Sequence, residues 1–424
     1  MNRTADRWFG AGAILICAAA SLCCMWVNFT LSDELYGFRY SIGAYSPSHH
    51  LVILLSFGVI AVLLLMAAAA AVVLRKPSLQ CVLGGALLLV VLCAYLRIAL
   101  GNADLLMELG RQSNWWTQIF SGKGPNAIDR DVWSELSFNT IYDRLYTGWY
   151  YLGLGWYLAL FASLSIFATG ARNRGIRFTW RPAGLLALLS VLMVGTFLYR
   201  PAIAEREFET AVKSQVLGRP LQAISQYREA MRLDDWYALN PVVYVRVGQA
   251  FATMNRTDTP EYQIYRAEQI YAENQGGSDI GDLPEAIGIY KRIAGMSGRI
   301  GVVARIRAAD LMNFYGYHLF QSGAFGQAVQ QWDEVFTLAP DNWLAAYYVG
   351  QGYPTVGRYR DLATVSQRFI DNCSDPLILG ILYSNLGDAN MWLGQLNAGH
   401  RAYYHSYDID YAYNMRGIAS LVGP

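Results

Sequence analysis

Apolar and polar positions divide the chain into two halves with different periodicities. A helix crossing a bilayer needs roughly 20 predominantly apolar residues. Five stretches in the first half meet or approach that length: about Trp8 to Leu31, Leu51 to Leu74, about Leu79 to Leu100, about Leu145 to Thr169, and about Ala183 to Tyr199. After residue 200 no long apolar run remains, strand signals are few, and apolar residues recur at helical spacing. The expected fold class is all-α. A multi-span transmembrane domain of about five helices occupies residues 1–200, and a helical repeat domain occupies residues 201–424.

Charge sharpens this division. The net charge of +1 conceals 15 Lys/Arg against 9 Asp/Glu in residues 1–200, and 18 against 23 in residues 201–424. Neither half is basic enough for nucleic-acid binding. Arg97 is the only charge inside the five stretches, near the end of the third, where its stem can follow the helix and its guanidinium reach the interface. The first stretch follows Arg3 and Arg7, as in a signal peptide. Its apolar run exceeds the roughly 7–15 residues of a signal core, and the sequence begins at Met1, so it reads as a retained anchor.

Arg3 and Arg7, Arg75 and Lys76, and Arg172, Arg174, Arg177 and Arg181 all flank the same side, whereas the connection 32–50 offers only Arg39. By the positive-inside rule the N-terminus is cytoplasmic. Five spans then place the repeat domain on the opposite side, the periplasm of a bacterium. The expected localisation is a multi-pass inner-membrane protein. Five of the six cysteines (Cys17, Cys23, Cys24, Cys81, Cys93) lie in expected spans as small apolar residues; only Cys373 lies beyond, so no intrachain disulfide is expected there.

The connection from Gly101 to Asp143 carries Trp115 and Trp116 among other apolar residues, spaced for one or two interfacial amphipathic helices. The fourth stretch opens with Trp149, Tyr150, Tyr151 and Trp156. An aromatic belt explains the outermost of these. A packed partner helix, a quinone or a pigment are further reasons for so many aromatics.

Internal repetition organises the second half. Gly316, Gly350 and Gly387 recur at separations of 34 and 37 residues, and Gly323, Gly357 and Gly394 follow in parallel. Each pair places a small residue inside a helix and a glycine at the turn that ends it. The unit from Ala309 adds Phe325, Ala328, Trp332 and Pro340; the next, from Trp343, adds Tyr353 and Tyr359; a third, from Gly380, adds Tyr403. Ala211, Gly218, Ala223, Tyr227 and Ala230 mark an earlier unit starting near Ala204, and Pro241 to Gly298 is irregular, interrupted by Gly276-Gly277-Ser278.

This pattern resembles the tetratricopeptide repeat family, a helix–turn–helix of 34 residues. The resemblance implies a TPR-like α-solenoid of about five repeats or repeat-like hairpins, stable only collectively. It also implies a partner-binding groove lined by Asp310, Asn313, Tyr317, Phe320, Tyr347, Gln351, Ser384, Asp388 and Met391. The Lys/Arg pairs with which some relatives clamp a peptide carboxylate are missing from that set. Pro201 directly follows the fifth stretch and suits the first turn of a helix, so Ala202 to Leu217 is expected to begin the solenoid at a fixed height above the bilayer.

Signatures of chemistry are absent from the sequence. No nucleophile elbow, phosphate-binding loop, zinc-protease His pair or Cys-x-x-Cys occurs, and His49-His50 fall on different helix faces. The expectation is a non-catalytic scaffold with no catalytic, metal or cofactor site. It would bind other proteins through the solenoid and lipid through the spans, as an assembly factor or subunit of a larger membrane complex. Two alternatives stay open: an accessory subunit of a respiratory or photosynthetic complex contacting lipid, quinone or pigment, and an envelope glycan ligase or transport component, echoed only by Arg111 and Arg130.

Overall fold

The computed structural model describes residues 5–23, 57–101, 140–150, 152–174, 180–274, 281–371 and 376–409. Every regular element among them is helical. The chain forms two compact units, one whose described residues end at Ala202 and one that begins at Ile203.

The first unit contains α1 (Ala5–Cys23), α2 (Val59–Val73), α3 (Pro77–Gly101), α4 (Ile141–Tyr150), α5 (Leu154–Arg174) and the first part of α6 (Trp180–Val216). Among the described residues, three helical segments are long and apolar enough to cross a membrane: Pro77–Gly101, Leu154–Arg172 and Leu188–Val216. The first two expected spans appear as the shorter apolar segments Gly10–Ser21 and Val59–Val73. Residues 24–31 and 51–56, which would complete their length, lie outside the described residues.

Small residues set the helix spacing. A Cβ on Gly84 of α3 would fall 2.7 Å from the backbone nitrogen of Phe167, and one on Gly170 of α5 would fall 2.9 Å from that of Cys81. The two glycines thus mark reciprocal close approaches, three residues apart on both helices. In lipid, where no hydrophobic effect joins helices, such contact by dispersion is a main source of attraction. α1 packs on α2 and α5, and α2 on α3. Arg97 is exposed and its side chain folds over Gly101, along its own helix.

The fourth and fifth stretches differ from expectation. The fourth is two helices, because the chain turns at Leu152 and Gly153. The turn frees α4 to press Gly148 against Ala99 of α3. Its start is fixed by a capping box: Thr140 Oγ1 accepts from Asp143 N at 3.2 Å, while Asp143 Oδ2 accepts from Thr140 N at 2.8 Å. In the fifth, Pro201 lies inside α6 rather than starting a new helix. A proline there removes one backbone donor and leaves the carbonyl four residues earlier without it.

The second unit continues with α7 (Pro220–Leu233), α8 (Asp235–Ala238), α9 (Pro241–Ala252), α10 (Pro260–Asn274), α11 (Leu283–Ala294), α12 (Arg299–Gln321), α13 (Phe325–Leu338), α14 (Trp343–Thr355), α15 (Tyr359–Ile370), α16 (Pro376–Trp392) and α17 (Leu396–Ile409). Helices α9, α12, α14 and α16 touch in succession and form an inner row. Helices α10, α11, α13, α15 and α17 form the outer row, each packed on its chain neighbours. Gly218, Gly323, Gly357 and Gly394, spaced by the repeat, all adopt positive φ between 70° and 84° at the hairpin turns. Residue types with a Cβ are strained there. Asn255 takes the same conformation after α9, where the sequence offers no glycine.

Asn342 caps α14 by accepting from Ala345 N at 2.8 Å, and Asn240 caps α9 by accepting from Val242 N at 3.0 Å. Trp332 of α13 is the wedge between repeats. It is buried, stacks on Tyr348 at 5.3 Å, and leaves no space for a Cβ on Gly316 of α12 or Gly352 of α14, each of which would lie 2.5 Å from its ring.

The irregular middle is held by a polar cluster. α12 begins ten residues before Ala309, the expected start of its repeat, and its first turns pack on α11. There Arg307, 2% exposed, donates to both oxygens of Glu268 on α10, at 2.6 and 2.9 Å. Tyr290 of α11 donates to the same carboxylate at 2.5 Å, and the Arg307 guanidinium lies 4.9 Å from the Tyr271 ring centroid. Removing one partner of a fully buried pair costs about 3–5 kcal/mol, and the Glu268 left behind here keeps 21% of its side chain exposed, which sets the cost at the lower end. Arg307→Ala is therefore expected to destabilise the repeat unit by about 3 kcal/mol, read by chemical denaturation followed by circular dichroism. Arg307→Met with Glu268→Leu, which removes both charges, is expected to recover most of the loss.

Candidate interaction surface

The residues that the repeat pattern assigns to a groove sit on three inner helices. On α12, Asp310 and Asn313 are buried. The Asn313 amide donates to Asn342 Oδ1 at 3.0 Å, so it ties α12 to the cap of α14 rather than facing outward. Tyr317 and Phe320 are half-buried. The ring of Tyr317 lies 5.7 Å from Tyr348, and Phe320 packs at 5.8 Å against Trp332.

On α14, Tyr347 is half-buried and Gln351, one turn later, is exposed. The Gln351 amide donates to the Tyr347 hydroxyl at 3.1 Å. Burial pushes the Tyr347 phenol above its ordinary value, the Gln351 bond opposes that, and the nearby Tyr317 adds to it. The phenol stays neutral at physiological pH, a donor and acceptor without charge. On α16, Ser384, Asp388 and Met391 are half-buried. Asp388 accepts from Tyr403 of α17 at 2.6 Å. Spacings of four residues, as in Asn313–Tyr317, Tyr347–Gln351 and Ser384–Asp388, put each pair on one helical face.

Seven of the nine residues thus keep some exposure: two tyrosines, a phenylalanine, a methionine, two neutral polar groups and one carboxylate. Such a surface stacks and hydrogen-bonds. Among the described residues no cluster of three or more His, Cys, Asp or Glu is placed to hold a metal ion.

The membrane aromatics are distributed differently from a simple belt. Trp115, Trp116 and Tyr151 lie outside the described residues, as does the side chain of Tyr150. Trp156 is buried and its indole N–H donates to Val91 O at 2.8 Å. Trp149 packs edge-on against Tyr95, Trp156 and Tyr157, at 6.1, 5.8 and 5.9 Å. Tyr95 donates to Leu145 O at 2.7 Å. The cluster clamps α3 to α4 and α5, so helix packing accounts for Trp156 and for the edge contacts of Trp149.

Sequence reasoning passed over Arg144. It is buried at the start of α4, where its guanidinium donates to Leu100 O at 3.1 Å, on the last turn of α3. A cation suits the negative end of a helix. The signal was present in the Thr140-x-x-Asp143 capping pattern, which starts a helix one residue after Thr140 and draws Arg144 into its first turn.

No protein-family model matches the chain, and no curated protein matches it. Among solved structures, "Crystal structure of MamA" is 16% identical, covers 47% of this chain and 93% of its own, and gives a TM-score of 0.24. "MamA RS-1 ArsTM double mutant" is 15% identical over 50% of this chain and 97% of its own, also at 0.24. "MamA MSR-1 C2" is 12% identical over 49% and 97%, at 0.23. Likenesses at these TM-scores decide neither fold nor function.

His318 lies beside the candidate surface, 4.5 Å from the Phe314 ring and 6.0 Å from Tyr317. Burial lowers its pKa below the ordinary histidine value of 6.5. Below pH 6.5 the unfolded chain therefore binds the proton more readily than the folded one, and stability falls with pH until the folded group also titrates. Above that window the histidine is neutral in both states and costs nothing. Thermal unfolding from pH 7.5 to 5 is expected to show a falling midpoint, and His318→Gln is expected to flatten part of the fall.

Proposed function

We propose that the chain is a membrane-anchored, TPR-like, non-catalytic scaffold. Its repeat unit binds or organises partner proteins through the inner row of helices. The full reading has about five spans in residues 1–200, a cytoplasmic N-terminus, and the repeat domain of residues 201–424 on the periplasmic face of an inner membrane. There it serves as a subunit or assembly factor of a larger complex.

The observation that carries the reading is the inner row itself. Helices α12, α14 and α16 are adjacent and offer Tyr317, Phe320, Tyr347, Gln351, Ser384, Asp388 and Met391 with part of each side chain exposed. Half-buried aromatics with neutral polar groups between them are a composition suited to protein contact, since aromatic and Met side chains concentrate at interfaces and charges are depleted there. Three helices of membrane-spanning length and apolarity among the described residues support an anchored scaffold rather than a free one.

Gentle detergent extraction followed by size-exclusion chromatography tests the proposal. The chain is expected to elute with other proteins. Gln351→Lys, an exposed change that places a charge in the row, is expected to weaken that association at least tenfold while circular dichroism stays unchanged. Tyr347→Ala is expected to do the same. Elution of the wild type as a lone monomer would overturn the scaffold reading.

A further inference from the structure

The acidic balance of the repeat domain has a local exception. Between α15, α16 and α17 an open cleft of about 710 Å³ is lined by Arg368, Arg401, His405, Gln367, Asn390 and Thr364. Its floor is mostly small, with Ala363, Ala398 and Ala402. No carboxylate is among its lining residues, although residues 201–424 carry 23 Asp/Glu against 18 Lys/Arg. Of the nearby acids, Asp361 pairs with Arg358 at 2.6 Å, while Asp371 and Asp388 keep their charge and accept from the Gln367 amide at 2.7 Å and the Tyr403 hydroxyl at 2.6 Å.

The arginines are placed differently. Arg368 is held before any ligand arrives: its guanidinium donates to Pro340 O at 3.2 Å and lies 4.9 Å from the ring centroids of both Phe336 and Phe369. Arg401 is exposed on α17, one turn before His405, whose ring lies 5.3 Å from that of Tyr383. The cleft therefore offers the exposed Arg401 guanidinium, with the anchored Arg368 and His405 beside it, over small alanine side chains; the Gln367 amide donates to Asp371 at 2.7 Å and the Thr364 hydroxyl to Arg360 O at 3.0 Å. A guanidinium suits a carboxylate, which it can hold by two parallel hydrogen bonds.

We propose that this cleft binds an acidic segment of a partner protein, an extended stretch bearing Glu or Asp side chains. It is a second contact surface, separate from the inner row, and it rests on the reading of the repeat unit as a protein-binding scaffold. The cleft is open to solvent, which fits a chain passing across it better than a small anion. Small-molecule sites usually enclose 70–90% or more of their ligand. The floor of alanines leaves room for the methylene groups of glutamate. The α16 residues that line the cleft, Tyr383, Leu386 and Asn390, are neighbours in sequence of Ser384 and Met391 but occupy the adjoining face, so both surfaces can be filled at once.

The full chain in neutral-lipid nanodiscs tests this with a fluorescein-labelled peptide of five Glu-Ala repeats, read by anisotropy. Saturable binding is expected, weakening with added salt because exposed charges are screened. The matching Gln-Ala peptide is expected not to bind. Arg401→Glu is expected to weaken binding at least tenfold, and so is Thr364→Glu, an exposed change that adds a like charge to the cleft. Gln351→Lys is expected to leave it unchanged. Failure of the Glu-Ala peptide to bind, or equal binding by Arg401→Glu, would overturn the proposal. So would recruitment of the chain to phosphatidylglycerol vesicles that depends on Arg401 without peptide binding, which would make the cleft a lipid-headgroup site. Gln351→Lys that still disperses co-eluting proteins when the peptide fails to bind would leave the scaffold reading standing and remove only the cleft.

Discussion

The second unit depends on Trp332 filling the space between two inner helices. No hairpin in a repeat stack buries its own apolar face, so each must be completed by its neighbour. Trp332 reaches from α13 to Gly316 on one side and Gly352 on the other, where even a methyl group would collide with the ring. Its other face stacks on Tyr348, which in turn touches Tyr317 and Tyr347 at 5.7 and 5.6 Å. The aromatic part of the candidate surface is thus an extension of the packing that joins the repeats. A large buried aromatic of this kind contributes more than any surface ion pair around it, since exposed pairs are worth about 0–1 kcal/mol.

The regular and irregular parts of the stack are joined by different means. In the regular part apolar wedges and small residues suffice. Between α10 and α12 the repeat spacing is lost, and Glu268, Tyr290 and Arg307 meet in a buried polar cluster. Ion pairs of this kind add little net stability over apolar packing, but they penalise every arrangement in which a partner is missing. That property suits a place where the sequence pattern no longer dictates register. The first unit shows a related division. Gly84 and Gly170 bring α3 and α5 into contact by shape alone, whereas α4 is fixed by directed bonds from Tyr95 and Arg144.

The repeat glycines were readable in the sequence because their cause is local. Only residues tolerant of positive φ fit those turns, so Gly323, Gly357 and Gly394 announce them at repeat spacing. The third expected span was equally plain, as Pro77–Gly101 forms one apolar helix. The break at Leu152 and Gly153 was not, because hydropathy is indifferent to whether an apolar run is one helix or two. The burial of Asp310 and Asn313 was also hidden: a groove position in a generic repeat becomes an internal contact when the next helix offers Asn342 as a partner. The outer cleft escaped for a different reason, since Arg368 and Arg401 are 33 residues apart and only the fold brings them to one opening.

The central claim is that the inner row, and not the outer face as a whole, meets another protein. Replacing Gln351 by a photo-crosslinking phenylalanine analogue in the native membrane tests this directly, with exposed Gln330 on α13, away from both the inner row and the α15–α17 cleft, as the comparison position. The account predicts a discrete protein adduct from position 351 that position 330 does not form. Adducts of equal yield and pattern from both positions, or adducts with lipid alone from position 351, would contradict it.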